Sequence, residues 1–261
     1  MHHHLDVYAY QNRLRQIAPV QKFGFAIAVL LIASIVHPTV QVLIVVWLAI
    51  WTIGYARIPA KVYFQLLTVA GIFLLMSIPA LVINAVSIDQ IASIRVDEIQ
   101  GVALGSWYLF ISRSGMMQAA QIGMRSLSCT SCLLFILFTI PFTDLLHLFR
   151  QLRVPTLITE LLLLMYRFIF LFFDVVTELQ LAQQARGGYR TRKRWMYSVG
   201  LLISQLLVRS LHHYRDFSLA LNARGFNGTF EVYSPQKHYY SRRYAIESVL
   251  GCLGLLLLEF R

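Results

Sequence analysis

Two Ala-Arg-Gly tripeptides, Ala185-Arg186-Gly187 and Ala223-Arg224-Gly225, are the clearest sites for chemistry in this chain of 261 residues. In each, arginine offers five N–H donors in a planar fork that matches a carboxylate. Alanine leaves space beside the arginine, and glycine permits a backbone turn that other residues resist. The repeated combination therefore indicates ionic docking to acidic groups of another protein at two places.

A second polar group, His212, His213 and Asp216, places imidazoles and a carboxylate within about one helical turn. Such spacing occurs in half of a metal site and in acid–base pairs. Arg209 and Arg215 lie close by in the same segment, so a partly solvated interface is the simpler interpretation. We therefore predict no catalytic residue, no metal ligand and no cofactor, and we retain a membrane-embedded enzyme using these three residues as an alternative.

Both tripeptides lie where a long helical pattern ends. The C-terminus of a helix concentrates unpaired carbonyl groups and partial negative charge, which favours a cation in the last turn and a glycine after it. A structural cap thus remains the alternative for either tripeptide alone, whereas their recurrence favours docking. The first of these helices is predicted to begin near Pro155, which should fix the elbow that enters it, and the second covers residues 195–224.

The amino-acid composition indicates an integral membrane protein. Hydrophobic residues make up 57% of the chain and charged residues only 13%, with a mean hydropathy of +0.62, so a water-soluble surface could not be built from this material. The net charge of +11 must lie in the parts that reach water. Because the basic residues flank apolar segments, their placement follows the positive-inside rule, and we predict no nucleic-acid partner.

The apolar segments predict an all-α integral membrane protein with about five transmembrane helices. They are a hairpin in residues 19–55 that turns at His37-Pro38, a span in 63–86, a span in 115–140 and a last one in 244–260. Cations on both sides of the hairpin put the N-terminus in the cytoplasm. The segment 87–113, with Asp89, Asp97 and Glu98 against two arginines, lacks a basic excess and is predicted on the outer face.

The apolar segment 156–186 is predicted not to span, because spanning would carry Arg186 and the basic run 190–194 outside. We therefore predict a membrane domain in residues 1–143, a cytoplasmic region of one short and two long helices in 144–236, and a final transmembrane helix in 237–261. The long helices are too apolar to stand free. They should lie nearly parallel to the membrane beneath the bundle, with their ends pointing at a partner.

Arg125 lies inside the fourth predicted span. An unpaired charge there costs at least about 2.5 kcal/mol on insertion scales. We therefore expect its side chain to face protein, either in a structural pairing or in coupling to a partner.

Taken together, these features resemble the transmembrane T component of energy-coupling factor (ECF) transporters, in which paired Ala-Arg-Gly motifs dock into two ATPase subunits. The similar features are the N-terminal spans, the link Leu152-Arg153-Val154-Pro155 between a short and a long helix, both tripeptides and a final span. The opening, from His3-His4-Leu5-Asp6 through Tyr10-Gln11-Asn12-Arg13-Leu14-Arg15, resembles the cobalt-type T component in particular.

This resemblance implies a non-catalytic coupling subunit of an ATP-driven importer in the cell inner membrane. Its expected partners are two ATP-binding cassette ATPase subunits, a substrate-binding membrane (S) subunit and the lipid bilayer. The resemblance places Arg186 and Arg224 in acidic grooves of the ATPases, with the alanines and glycines of both tripeptides permitting close approach. Cobalt is the expected cargo, and nickel or a vitamin is the alternative. The chain contains no Gly-x-x-x-x-Gly-Lys-Ser/Thr sequence, so ATP must be held by a partner.

Overall fold

The computed structural model describes residues 3–87, 98–104, 107–225 and 239–259, and the chain forms two compact units. The first unit comprises residues 1–145 and 236–261, and the second comprises residues 146–235. Asp89 and Asp97, which contribute to the predicted outer face, lie outside the described residues, as does the predicted boundary between residues 236 and 237.

The described residues form a succession of helices with one small sheet among them. In order, the elements are α1 (His3–Gln11), a 3₁₀ turn (Arg13–Gln16), α2 (Pro19–Ile35), α3 (Pro38–Ala49) with a π-helical continuation (Ile50–Tyr55), α4 (Ala60–Val82), β1 (Ile83–Ser87), β2 (Glu98–Leu104), β3 (Trp107–Ser112), α5 (Arg113–Thr139), α6 (Phe142–Gln151), α7 (Thr156–Ala185), α8 (Arg192–Ala223) and α9 (Arg242–Glu259). Proline opens both α2 and α3, where its missing N–H leaves no hydrogen bond unmade.

The sheet lies between α4 and α5. Strands β2 and β3 belong to the segment 87–113 predicted on the outer face, whereas β1 occupies the end of the predicted span 63–86, because α4 already ends at Val82. Its strand order is β1-β3-β2, and both pairings are antiparallel, with an irregularity between Glu98 and Gln100. These strands were not predicted from the sequence. Val86, Tyr108 and Ile111 are residue types that favour strands, which explains why a strand follows α4 and another precedes α5.

The core of the first unit is an aromatic cluster between α2, α3 and α5. Phe25 stacks on Trp51 with ring centroids 4.8 Å apart and meets the edge of Phe135 at 5.5 Å. The Tyr63 hydroxyl and Ser131 Oγ, 2.6 Å apart, share a hydrogen bond that joins α4 to α5. In a bilayer, close packing and such hydrogen bonds hold helices together, because lipid tails are as apolar as the helix surfaces.

The C-terminal end of α5 is capped by residues from the start of the chain. The amide of Asn12 donates to the carbonyl oxygens of Phe138 (3.0 Å) and Thr139 (3.3 Å). The ammonium group of Lys22, which is only 4% exposed, donates to the Thr139 oxygen at 2.8 Å and to the Leu14 oxygen at 3.2 Å. Carbonyls that the helix itself leaves unpaired are thereby satisfied inside the protein.

The second unit contains α7 and α8 as an antiparallel pair. Their contacts run in opposite chain directions, since Gln183 bonds to Ser198, Glu178 pairs with Arg209 at 3.2 Å, and Phe168 meets the edge of Phe217 at 5.8 Å. Much of each helix is nevertheless exposed, including the large apolar side chains of Leu161, Met165, Ile169, Leu207 and Leu211. The second unit thus presents apolar surface that its described residues do not cover.

Among the described residues, four helices are long and apolar enough to cross a membrane, namely α3 with its π-helical continuation, α4, α5 and α7. The prediction of an all-α integral membrane protein is thereby confirmed. Helix α2 is apolar but has 17 residues, and α9 carries Arg242, Arg243, Glu247 and Glu259 within 18 residues. The assignments of α2 and α9 to the membrane and of α7 to the cytoplasm remain predictions.

Candidate functional site

The first tripeptide forms the C-terminal end of α7. Ala185 is the last helical residue, Arg186 follows with φ −88° and ψ 8°, and Gly187 takes a left-handed conformation with φ +69°. The N–H groups of Gly187 and Gly188 donate to the carbonyl oxygens of Gln184 and Gln183, both at 2.9 Å. These two bonds make a Schellman motif, which needs a left-handed residue that glycine adopts without a Cβ penalty.

The second tripeptide forms the C-terminal end of α8 with nearly the same backbone. Arg224 has φ −93° and ψ 8°, and Gly225 again has φ +69°. The Gly225 N–H donates to the Asn222 oxygen at 3.1 Å, which is the bond that Gly187 makes to Gln184. The two tripeptides therefore present arginine from the same backbone conformation.

We call these two places the 186 end (residues 185–188) and the 224 end (residues 223–225). Since α7 and α8 are antiparallel, the two ends lie at opposite ends of the helix pair. Helix α8 has 32 residues, which corresponds to a length of about 48 Å at 1.5 Å per residue. Both arginines and both alanines are exposed, so a partner can reach each end separately.

The 186 end is braced by a polar network that ties it to the first turns of α8. The Ser198 hydroxyl, which is buried, donates to the Gly188 oxygen at 2.9 Å, and the Gln183 amide donates to the Ser198 oxygen at 3.0 Å. The Tyr189 hydroxyl in turn donates to Gln183 Oε1 at 2.6 Å. A Cβ built on Gly188 would lie 2.6 Å from Ser198 Oγ, so no larger residue fits there without a shift.

The elbow before α7 contains the predicted Pro155, which directly precedes the first helical residue. Helix α6 ends in the same pattern as α7, with Arg153 N–H bonded to the Arg150 oxygen and Val154 N–H bonded to the Phe149 oxygen, both at 3.1 Å. The left-handed position is taken here by Arg153, with φ +61°, instead of a glycine. A side chain in this conformation costs roughly 1–2 kcal/mol, so the elbow is held by its surroundings.

The structure does not bring His212, His213 and Asp216, the alternative site, together as a set of metal ligands. His212 and Asp216 are exposed and His213 is half-buried on α8. No group of three or more His, Cys, Asp or Glu side chains that could hold a metal ion occurs in the part of the chain that the structure describes.

Arg125 lies at the middle of α5, and its side chain is exposed. We expected it to face protein. Within the described ranges it forms no ion pair and no side-chain hydrogen bond, so the rest of the described chain does not cover it.

Two features of the site were missed by the sequence analysis. The Gly187-Gly188 pair signals a Schellman motif, but nothing in the sequence links Gln183 and Tyr189 to Ser198, because that network depends on how α7 packs on α8. The left-handed Arg153 carries no sequence signal either, since arginine rarely adopts that conformation.

The family described as "Cobalt transport protein" (CbiQ) matches residues 11–239 of this chain. The cobalt transport protein CbiQ of Salmonella typhimurium is 26% identical over 231 residues, which cover 87% of this chain and 99% of that protein. The cobalt transport protein CbiQ of Rhodobacter capsulatus is 33% identical over 133 residues, or 51% of this chain and 54% of that protein.

A third relative differs in length. The putative fused cobalt transport protein CbiMQ of Methanocorpusculum labreanum is 25% identical over 237 residues, which cover 90% of this chain but only 38% of that protein. Nearly all of this chain therefore corresponds to less than half of the fused relative.

Proposed function

Because this chain belongs to the CbiQ family of cobalt transport proteins, we propose that it is the transmembrane coupling (T) subunit of an ECF-type ABC importer for cobalt ions. In this role, partner ATPases bind and hydrolyse ATP, and the chain transmits their motions to a substrate-binding membrane subunit. The chain itself is not an enzyme. The observation that carries the proposal is the repetition of one helix-end geometry at both ends of the α7–α8 pair.

The geometry suits two ATPase subunits. A helix end that projects an arginine from a narrow Ala-Arg-Gly surface can enter an acidic groove, where the guanidinium fork binds a carboxylate through two hydrogen bonds. Two such ends, separated by about the length of α8, can engage one subunit each. Because both ends belong to a single helix pair, closure of the ATPases would move α7 and α8 together.

The remaining partners and the location follow from the same role. The S subunit is a separate membrane protein, and the fused relative CbiMQ supports a partner of this kind, since most of its length lies outside the region similar to this chain. We place the chain in the cell inner membrane with α6, α7 and α8 in the cytoplasm, because the ATPases require ATP there. The basic residues 190–194 favour that side.

The cargo is inferred from the family. Its description and the names of the relatives from Salmonella typhimurium and Rhodobacter capsulatus support cobalt. A T subunit for nickel or a vitamin is the alternative, and uptake of radioactive cobalt and nickel by cells that express the complete transporter separates the two ions.

The test of docking is co-purification of the ATPases with the full chain after Arg186 and Arg224 are changed together to Glu. A carboxylate at each end would face the acidic grooves, so we expect the ATPases to be lost and cobalt uptake to stop. Arg215→Glu is the matched control, because Arg215 is an exposed arginine on α8 outside both tripeptides. Undiminished ATPase binding and uptake in the double variant would contradict the proposal.

A further inference from the structure

Helix α5 carries a polar stripe on a face that the rest of the described chain leaves uncovered. Gln118, Gln121 and Arg125 are all exposed, and their spacing of three and four residues places them on one side of the helix. Gly115 and Ala119, on another side, are buried, and Gly115 approaches α4 so closely that a Cβ there would lie 2.6 Å from the Leu81 oxygen. We call the exposed residues Gln118, Gln121 and Arg125 the α5 polar face.

This face lies deep in a helix that can cross the membrane. Helix α5 has 27 residues, which corresponds to about 40 Å, and Arg125 is 12 residues from its start and 14 from its end. Arg125 is therefore roughly 18–21 Å from either end of the helix along its axis. A hydrocarbon core of about 30 Å that is centred on α5 would hold Arg125 near its middle.

A charge at this depth needs protein around it. Translocon-based scales assign about 2.5–3.5 kcal/mol to an arginine at the centre of a span, and side chains near helix ends avoid this cost by reaching the interface. Arg125 is too far from both ends of α5 for that route. Neighbouring exposed residues such as Met117 and Ile122 are apolar, so the stripe is a narrow polar line on a surface otherwise suited to lipid or to another helix.

We propose that the α5 polar face is the docking surface for a transmembrane helix of a partner membrane protein, which presents an Asp or Glu carboxylate to Arg125 within the bilayer. The two glutamines flank this ion pair and offer side-chain amides to the same helix, because polar side chains join helices where water is absent. Charge complementarity selects the partner's carboxylate, and the depth selects an integral membrane protein. In the transporter this partner is the S subunit, and that identification rests on the proposed function.

The first measurement uses the full chain alone in detergent. The change Arg125→Leu should leave its melting temperature equal to that of the unaltered chain or raise it, because no described residue forms an ion pair or a side-chain hydrogen bond with its guanidinium group. Arg113→Leu, at the exposed start of the same helix, is the matched control. A clear drop in the melting temperature with Arg125→Leu, and not with Arg113→Leu, would show that Arg125 pairs within its own chain and would overturn the proposal.

The second measurement uses the chain co-expressed with the S subunit and the ATPases. We expect Arg125→Leu to reduce the recovered S subunit roughly tenfold or more while the ATPases remain bound, since a carboxylate is left unpaired in the bilayer. Arg125→Lys should retain much of the S subunit. Arg125→Glu should be rescued when the facing carboxylate of the partner is exchanged for a lysine.

The outcomes separate this inference from the proposed function. Full recovery of the S subunit with Arg125→Leu overturns the docking surface and indicates that lipid or water accommodates the charge. If the unaltered chain retains neither the ATPases nor the S subunit, the proposed function itself is contradicted. Retention of the ATPases with selective loss of the S subunit supports both.

Discussion

The 186 end and the 224 end share one backbone conformation but differ in what holds it. At the 186 end, Ser198 and Gln183 tie the turn to α8, and Gly188 fits against the Ser198 side chain. At the 224 end, a Cβ built on Gly225 would meet nothing within 4 Å among the described atoms. The backbone conformation is therefore common to both ends, whereas within the described residues only the 186 end is braced by side-chain hydrogen bonds.

This difference distinguishes two functions of a helix end, namely docking to a partner and stabilising the turn between two helices. The backbone geometry that the two ends share is what a partner would recognise, since it fixes the direction in which each arginine leaves the helix. The extra bonds at the 186 end serve the turn between α7 and α8, which must hold two long helices together. Substitution of the arginine at the 224 end thus tests docking alone, and substitutions in the hydrogen-bonded network of the 186 end test the helix turn as well.

The largest expected effect concerns the two arginines taken singly. Arg186→Ala or Arg224→Ala should weaken ATPase binding by roughly 2–5 kcal/mol each, because a desolvated carboxylate in the groove loses its partner. The dissociation constant of purified ATPase for the solubilised chain measures this. Two identical ATPases should give equal losses, whereas two different ATPases should give unequal ones.

The control for both variants is Arg190→Ala, which removes a neighbouring exposed cation outside the tripeptides. Its binding constant should change little, because exposed charges in water contribute weakly. If Arg190→Ala weakened ATPase binding as much as the other two variants, general attraction between charges would explain docking. A specific role of Arg186 and Arg224 would then be contradicted.

The next effect concerns the bracing of the 186 end. Gly188→Ala should destabilise the α7–α8 turn by about 1–3 kcal/mol, because the new Cβ would lie 2.6 Å from Ser198 Oγ and 3.0 Å from the Gln183 oxygen. Amide hydrogen exchange in residues 183–198 should become faster, with no change at the 224 end. Gly200→Ala on α8 is the matched control, since its Cβ meets no atom within 4 Å and alanine favours a helix.

A smaller effect is expected at the unbraced glycine. Gly225→Ala should cost about 1–2 kcal/mol of local stability, because alanine disfavours the φ of +69°. Gly225→Asn should cost less, since asparagine tolerates that conformation better. Hydrogen exchange at the end of α8 reports the loss, and equal exchange for the two variants would show that the left-handed turn does not limit stability there.

The smallest effect concerns one hydroxyl. Ser198→Ala removes the bond to the Gly188 oxygen and should cost about 0.5–1.5 kcal/mol at the 186 end. ATPase binding through the 224 end, measured in an Arg186→Ala background, should remain unchanged. A loss of that binding would mean that the two ends depend on one another.

The sequence predicted the helix boundaries better than the contacts between helices. Proline at positions 19, 38 and 155 and glycine at 187 and 225 act on the backbone locally, so the starts and ends that they mark agree closely with the structure. The bond from Lys22 to Thr139 joins residues 117 positions apart, and no local pattern reveals it. The small sheet depends in the same way on pairing between distant segments.

In the candidate site, too, local features could be predicted from the sequence and contacts between distant residues could not. The tripeptides and their placement at helix ends were readable because capping is a local property of the backbone. The exposure of Arg125 could not be predicted, because the cost of a charge in the membrane requires protein around it but does not determine which chain supplies that protein. The described part of this chain does not supply it, which directs attention to a partner.

The cap on α5 also bears on how the chain is made. The ribosome produces Asn12 and Lys22 long before Phe138 and Thr139, so the first apolar helices are made while an ammonium group and an amide still lack these later acceptors. A nascent chain that stops before residue 138 lacks these acceptors, so Asn12 and Lys22 keep only their local bonds to the Ala9 and Leu14 oxygens. The earliest synthesised residues are thus among the last to reach their final hydrogen bonds.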